Sequence, residues 1–202
     1  GFDPAEPPGP ATWTREEQLV REGEPFCPPY LGGRCQDWLR LPVENTSLED
    51  ASAYLGWLAK SGRGPGARLC TEAEWERAAR GADERRYPHG NRLRPGDGCT
   101  LSTLGGDKSR VGPCEGGVLP GSASPFGGLD LLGNVWEWVT VEPGAEPLAI
   151  GRSSWYKYED ITAWIVNLGI YGKPSDRRYR ALGIRVCAPP PPDDVPHALP
   201  PR

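Results

Sequence analysis

Residues 127–139, G-G-L-D-L-L-G-N-V-W-E-W-V, restrict the fold of this chain more than any other stretch. Leu129 to Leu132 form a short apolar run that Gly133-Asn134 breaks, a turn dipeptide whose first residue tolerates positive φ. The chain then leaves in strict alternation, with Val135, Glu137 and Val139 on one side and Trp136 and Trp138 on the other. Period two in β-branched and aromatic residues predicts a half-buried strand, and the two indoles predict a wall of the core. Asp130 and Glu137 flank the turn, with backbone carbonyls between them. That spacing has two readings. Carboxylates from the ends of a loop and carbonyls from its middle are how a hard cation is held. Alternatively, Glu137 pairs with an arginine and Asp130 caps the turn.

The 202 residues suit one domain with a real core. Gly and Pro are 27 + 24 = 51 of the 202, about a quarter, so the fold is expected to be loop-rich. A net charge of −4 argues against nucleic acid or anionic membrane as partner. No apolar run is long enough for a membrane span. The chain starts at Gly1 and holds no Met, so an upstream segment is expected to be missing. Arginine outnumbers lysine 19 to 4, which fits a GC-rich genome or a thermophile. The cysteines stand at 27, 35, 70, 99, 114 and 187, without a C-x-x-C, and His89 and His197 lack ligand-spaced partners. Zinc is therefore not expected. The cysteines are either buried thiols or two or three disulfides; Cys27/Cys35 and Cys99/Cys114 each bracket a loop whose closure contributes about 3 kcal/mol.

Three capping signatures place the helices. Thr14-x-x-Glu17 predicts a short helix to about Arg21, and Ser47-x-x-Asp50 opens one whose inner face is Leu48, Ala51, Leu55 and Leu58, ending at Ser61-Gly62. Thr71-x-x-Glu74 opens another, with Trp75, Ala78 and Ala79 inward, a Glu76–Arg80 pair and Gly81 as its C-cap. Residues 85–126 show no lasting periodicity, tolerable in a compact domain only where cysteines or cations replace a core. Leu182 to Cys187 alternate as a final strand, and 188–202 form a Pro-rich tail.

Four segments in this order, P-V-E-N-T-S-L-E-D-A-S-A-Y-L-G-W-L from Pro42, R-L-C-T-E-A-E-W-E-R-A-A-R-G from Arg68, G-L-D-L-L-G-N-V-W-E-W-V from Gly128 and G-I-R-V-C from Gly183, resemble the formylglycine-generating enzyme (sulfatase-modifying factor) family. The resemblance covers about residues 42–187. It implies an α+β, C-type-lectin-like fold with two main helices, small twisted antiparallel sheets and much loop, as a single domain over 1–187. It also implies a structural Ca²⁺ held by the side chains of Asp130 and Glu137 and the carbonyls of Gly133 and Val135. A second family calcium site falls near 99–107, where this chain diverges, and is not carried over.

The family's enzymes need a cysteine pair, C-x-x-x-x-C, shortly before the last strand, for copper and for attack on the substrate. Residues 155–179 contain no cysteine. Without a thiolate there is neither soft ligand nor nucleophile, so no copper and no catalysis of that kind are expected. The same region keeps the family frame at Gly151, Ser154, Trp155, Pro174, Arg178, Leu182, Gly183, Arg185 and Val186. Between and beside those points stand Tyr156, Tyr158, Asp160, Trp164, Ile165, Asn167, Tyr171, Ser175, Arg177 and Tyr179. Tyr and Trp interspersed with Ser, Asp and Asn is paratope composition. This is similar to the variable proteins of diversity-generating retroelements, bacterial or phage-borne, which display a hypervariable face on this fold. The resemblance implies a non-catalytic module that binds a protein or other macromolecule through residues 152–181, at a cell surface or on a phage. The alternatives are a drifted, non-catalytic domain whose aromatics are partly core, a family oxidase of altered chemistry, or a regulatory domain of a larger bacterial protein.

Overall fold

The computed structural model describes residues 25–26, 35–94, 96–104, 112–142, 147–154, 176–179 and 181–190. The helix expected after Thr14, and Cys27, lie outside them. Strands β1 (Pro25–Phe26) and β2 (Gln36–Asp37) pair antiparallel as a separate ribbon. Helices α1 (Leu48–Lys60) and α2 (Glu72–Arg80) begin where the capping signatures put them. In each, the N-cap hydroxyl accepts a backbone N–H, and the acid three residues on accepts the N-cap's own. Ala51 and Leu55 are buried on α1 as expected. Leu58 is only half-buried, while Trp57 is buried beneath the Arg63 guanidinium, 5.2 Å from its ring. On α2, Trp75 and Ala79 are buried, and Gly81 ends the helix at φ 68°.

A five-stranded sheet carries the rest: β3 (Arg68–Thr71), β4 (Trp136–Thr140), β5 (Pro147–Ile150), β6 (Leu182–Ile184) and β7 (Val186–Cys187). The sheet is mixed rather than antiparallel. β4 runs parallel to both β3 and β6 and antiparallel to β5, and β3 runs antiparallel to β7. Parallel neighbours need long crossovers: α2 and the irregular 85–126 region connect β3 to β4, and the chain from β5 onward connects β4 to β6. β4 is central, so Trp136 to Val139 are buried on both faces and the expected half-buried strand is fully buried. Val139 joins Trp75, Ala79, Leu131, Leu148 and Ile150 on one face; Trp136 and Trp138 join Ala51, Ala149 and Leu182 on the other. Pro147 opens β5, an edge strand, where a missing N–H costs no ladder bond.

The stretch 182–187 is two strands, not one. β6 follows β4 as far as Ile184, the chain breaks step at Arg185, and β7 turns onto β3, where Cys187 is disulfide-bonded to Cys70. Gly183 permits this packing, because a Cβ there would lie 2.3 Å from the Val43 carbonyl oxygen.

Both capping acids are also held by arginine forks from elsewhere. Arg178 donates to Asp50 through two bonds of 2.8 Å, and Arg68 to Glu74 through bonds of 2.7 and 2.6 Å. The Arg178 bonds hold Asp50 well below the usual carboxylate range, and the Arg68 bonds pull Glu74 down to about 2. An acid depressed in the folded state contributes stability above its unfolded pKa and loses it as pH falls through the folded one. Acid unfolding should therefore steepen between about pH 4 and pH 2. Glu74→Gln should flatten that limb by no more than about 1 kcal/mol, since the Glu74 side chain is 42% exposed. Denaturant titrations across that range that overlay for the two proteins would contradict it.

Candidate functional site

Around the central turn, the structure realises the ion-pair reading for Glu137. Arg185 donates from Nε to Oε2 and from Nη2 to Oε1 of Glu137, both at 2.8 Å, and the Trp75 indole also donates to Oε2. Arg185 reaches this position because the strand breaks at it. Its Nη2 further donates to the Leu129 carbonyl at 3.2 Å. Burial works against the Arg185 charge, but Glu137 and then Asp130 outweigh it, and the guanidinium is held above its ordinary value.

Asp130 adopts φ 58°, and its Oδ2 accepts the Gly117 N–H at 2.6 Å, so it caps a neighbouring loop. Its Oδ1 is buried and has no hydrogen-bond partner among the described residues. A buried carboxylate oxygen without a partner suits a hard cation, and Glu137 Oε1 keeps a lone pair beyond the one it gives Arg185. The donor set of Asp130 and Glu137 with the Gly133 and Val135 carbonyls therefore fits Ca²⁺ in chemical type. Among the described residues no three His, Cys, Asp or Glu side chains gather as metal ligands would.

Asn134 does more than turn the chain. Its N–H donates to the Cys99 carbonyl (2.7 Å), its Oδ1 accepts the Cys114 N–H (3.0 Å), and its Nδ2 donates to the Cys114 carbonyl (3.2 Å). Cys99 and Cys114 are disulfide-bonded and share a small cluster with Leu101 and Leu104. One asparagine thus fastens the irregular region to the central motif. Gly133, at φ 83°, is required here, because a Cβ would lie 2.3 Å from the Cys99 carbonyl oxygen. The signal that could have revealed this is the placing of the two cysteines on either side of a loop lacking periodicity.

The Asn134 carbonyl also accepts the Ser154 N–H at 2.8 Å, and two residues on the Trp136 N–H donates to the Ala181 carbonyl at 2.7 Å. β5 and β6 flank β4 at Glu137, opposite Ile150 and Gly183, so the chain leaves and re-enters the sheet about 10 Å apart, two strand spacings. Ser153 and Ser154 are buried at the exit. At the return, Tyr179 bridges to Thr46 and Arg178 grips Asp50. Tyr156, Tyr158, Asp160, Trp164, Ile165, Asn167, Tyr171 and Ser175 lie outside the described residues. Arg177 is exposed, its guanidinium 5.5 Å over the Tyr179 ring. Tyr179 is half-buried against Trp138, ring centroids 6.0 Å apart, with its hydroxyl enclosed, so it belongs to the wall of the core rather than to an exposed face.

Residues 15–160 match the model of the sulfatase-modifying factor enzyme 1-like domain. The chain is 34% identical over 156 residues to a hercynine oxygenase of Mycolicibacterium smegmatis, covering 68% of this chain and 33% of that protein. It is 38% identical over 144 residues to the inactive C-alpha-formylglycine-generating enzyme 2 of Mus musculus, covering 65% and 43%. The chain thus spans less than half the length of these relatives. Among solved structures, variable protein 1 of Treponema denticola superposes with a TM-score of 0.61 at 20% identity, over 83% of this chain and 76% of that one; this shows the shared fold.

Proposed function

The chain belongs to the sulfatase-modifying factor enzyme 1-like domain family, and we propose that this member is a binding module that has lost the family's thiol chemistry. The observation that carries the reading is the pinned segment. The described chain stops at Ser154, held on Asn134, and is held again at Arg178, on Asp50 of α1, so residues 155–175 begin and end on fixed framework positions, where loops carry binding residues. That stretch lacks cysteine, and the described cysteines are all disulfide-bonded, so none of them offers a thiolate. The partner is a protein or other macromolecule contacted through Tyr156, Tyr158, Trp164, Ile165 and Tyr171, with Arg177 on the rim.

Sequencing residues 152–181 in isolates of one strain tests this directly. Scattered changes confined to that window support display, and uniform identity counts against it. Replacing those five residues by Ala one at a time should shift Tm by no more than about 2 °C each, and all five together should abolish capture of a partner, because a solvent-facing change costs about half a kcal/mol or less. A collapse of Tm would place the aromatics in the core and refute the reading. The oxygenase relative supports a second reading, a family enzyme of altered chemistry. Turnover of a thiol-containing substrate by the purified chain with added metal and oxygen would favour it.

We further propose a structural Ca²⁺ at Asp130 and Glu137. Millimolar Ca²⁺ should raise Tm and chelation should reverse the rise, by roughly 2.7 kcal/mol at a hundredfold excess over Kd. Asp130→Asn tests it better than a change at Glu137, because asparagine tolerates the positive φ of this position and leaves the Arg185 pair intact. A Ca²⁺ response that survives Asp130→Asn rules the site out.

A further inference from the structure

Nearly every described arginine has its guanidinium engaged. Arg40, Arg68, Arg80, Arg85, Arg178 and Arg185 face carboxylates. Arg63, Arg77, Arg152 and Arg177 lie over aromatic rings. The exceptions among the described residues are Arg86, Arg92 and Arg94, which are exposed and stand within nine residues, on either side of the Tyr87–Gly90 turn.

That turn is stiff. Tyr87 and Gly90 exchange two backbone bonds of 2.9 and 3.0 Å, and the Arg86 N–H donates to Asn91 Oδ1 at 2.8 Å. His89 Nε2 lies 3.0 Å from both the Arg92 carbonyl and Asp97 Oδ2, and its ring stacks on Tyr87. Asp97 is buried and also accepts the Arg94 N–H, and Asp83 is taken by Arg85. Glu84 is the exposed acid left at the base of the turn. Among the described residues, three guanidiniums without a partner therefore flank a backbone that loses little freedom on binding.

We infer that residues 85–94 form an anion-binding surface whose partner is an acidic polysaccharide, its carboxylate or sulfate groups taken by Arg86, Arg92 and Arg94. Guanidinium forks match planar carboxylates and sulfates bidentately. The exposed large apolar residues, such as Phe126 and Leu39, lie off this turn, so it has nothing to insert into a bilayer. Disulfides suit an oxidising compartment, and outside the cell acidic polysaccharides are the abundant polyanions. A net charge of −4 also opposes a densely charged phosphate backbone more than spaced sugar anions.

Binding of the full chain to alginate (carboxylate) and to dextran sulfate (sulfate), with neutral dextran as control, tests this at low salt. At least one anionic polymer should bind, with log K falling against log salt at a slope of roughly −2 to −3. The triple change Arg86→Gln, Arg92→Gln, Arg94→Gln should weaken binding roughly thirtyfold with Tm unchanged, and each single change about threefold. Arg63→Gln, whose guanidinium lies over Trp57, should leave affinity unaltered. The single variants and Arg92→Glu keep the test open if the triple variant is unstable. Absence of binding to both polymers, equal loss with Arg63→Gln, or an unaffected triple variant overturns the proposal. So does tighter binding to duplex DNA or phosphatidylglycerol vesicles through the same arginines.

Discussion

Glu137→Gln is expected to cost about 3–5 kcal/mol of folding stability, although it changes the side chain by one atom and one charge. The Glu137 side chain is 7% exposed and Arg185 31%, so the pair is mostly out of water. Glutamine keeps one oxygen and gains an amide that cannot accept. It can satisfy Trp75 or one arm of Arg185, and it leaves the guanidinium without its countercharge. Arg185→Met alone should be costly too, because it leaves a buried carboxylate with the Trp75 indole but no countercharge. The two changes together should cost less than their sum by about 2 kcal/mol, since the second removes the charge that the first left unpaired. Denaturant unfolding of the four proteins measures this. Strict additivity would mean that the pair is not the coupled unit the geometry describes.

What could be read from the sequence is what local chemistry decides. The capping boxes at Ser47 and Thr71 located both main helices, because a hydroxyl and an acid three residues apart satisfy orphan N–H groups wherever they occur. The turn at Gly133-Asn134 was legible for the same reason. What tertiary packing decides was not. Alternation in Trp136 to Val139 reports two distinct faces, but cannot say that helices and strands cover both. Leu182 to Cys187 alternate without a flaw, and only the position of β3 against β4 forces the break at Arg185. Both readings of Asp130 and Glu137 were visible, yet the arginine that answers Glu137 is 48 residues away, beyond any local pattern. Asn134 looked like a turn residue because its side-chain bonds go to Cys114, 20 residues back. The binding face rests on composition within residues 155–175, and composition identifies the kind of surface without giving its shape.

The second large effect should come from the covalent link between β3 and β7. Cys70→Ala with Cys187→Ala is expected to lower stability by about 3–5 kcal/mol and Tm by about 10 °C. The cystine joins residues 117 apart, and cross-links that close long loops remove the most freedom from the unfolded chain. It also completes a short pairing. β7 contributes two residues, Val186 and Cys187, opposite Leu69 and Arg68, and two ladder positions hold a strand weakly. Cys70 is buried against Trp75 and Val139, so alanine is the right replacement, because a serine hydroxyl there would add an unpaired polar group. Arg185 is two residues before Cys187, so loosening β7 also frees the guanidinium that neutralises Glu137. The disulfide and the ion pair should consequently be coupled: Glu137→Gln should cost less in the Cys-free protein than in the wild type. Cys99→Ala with Cys114→Ala removes a link across a 15-residue separation and serves as the comparison, with an expected loss of no more than about 3 kcal/mol. If the Cys70–Cys187 variant loses less than the Cys99–Cys114 variant, loop closure does not set the order and native-state strain or residual structure must.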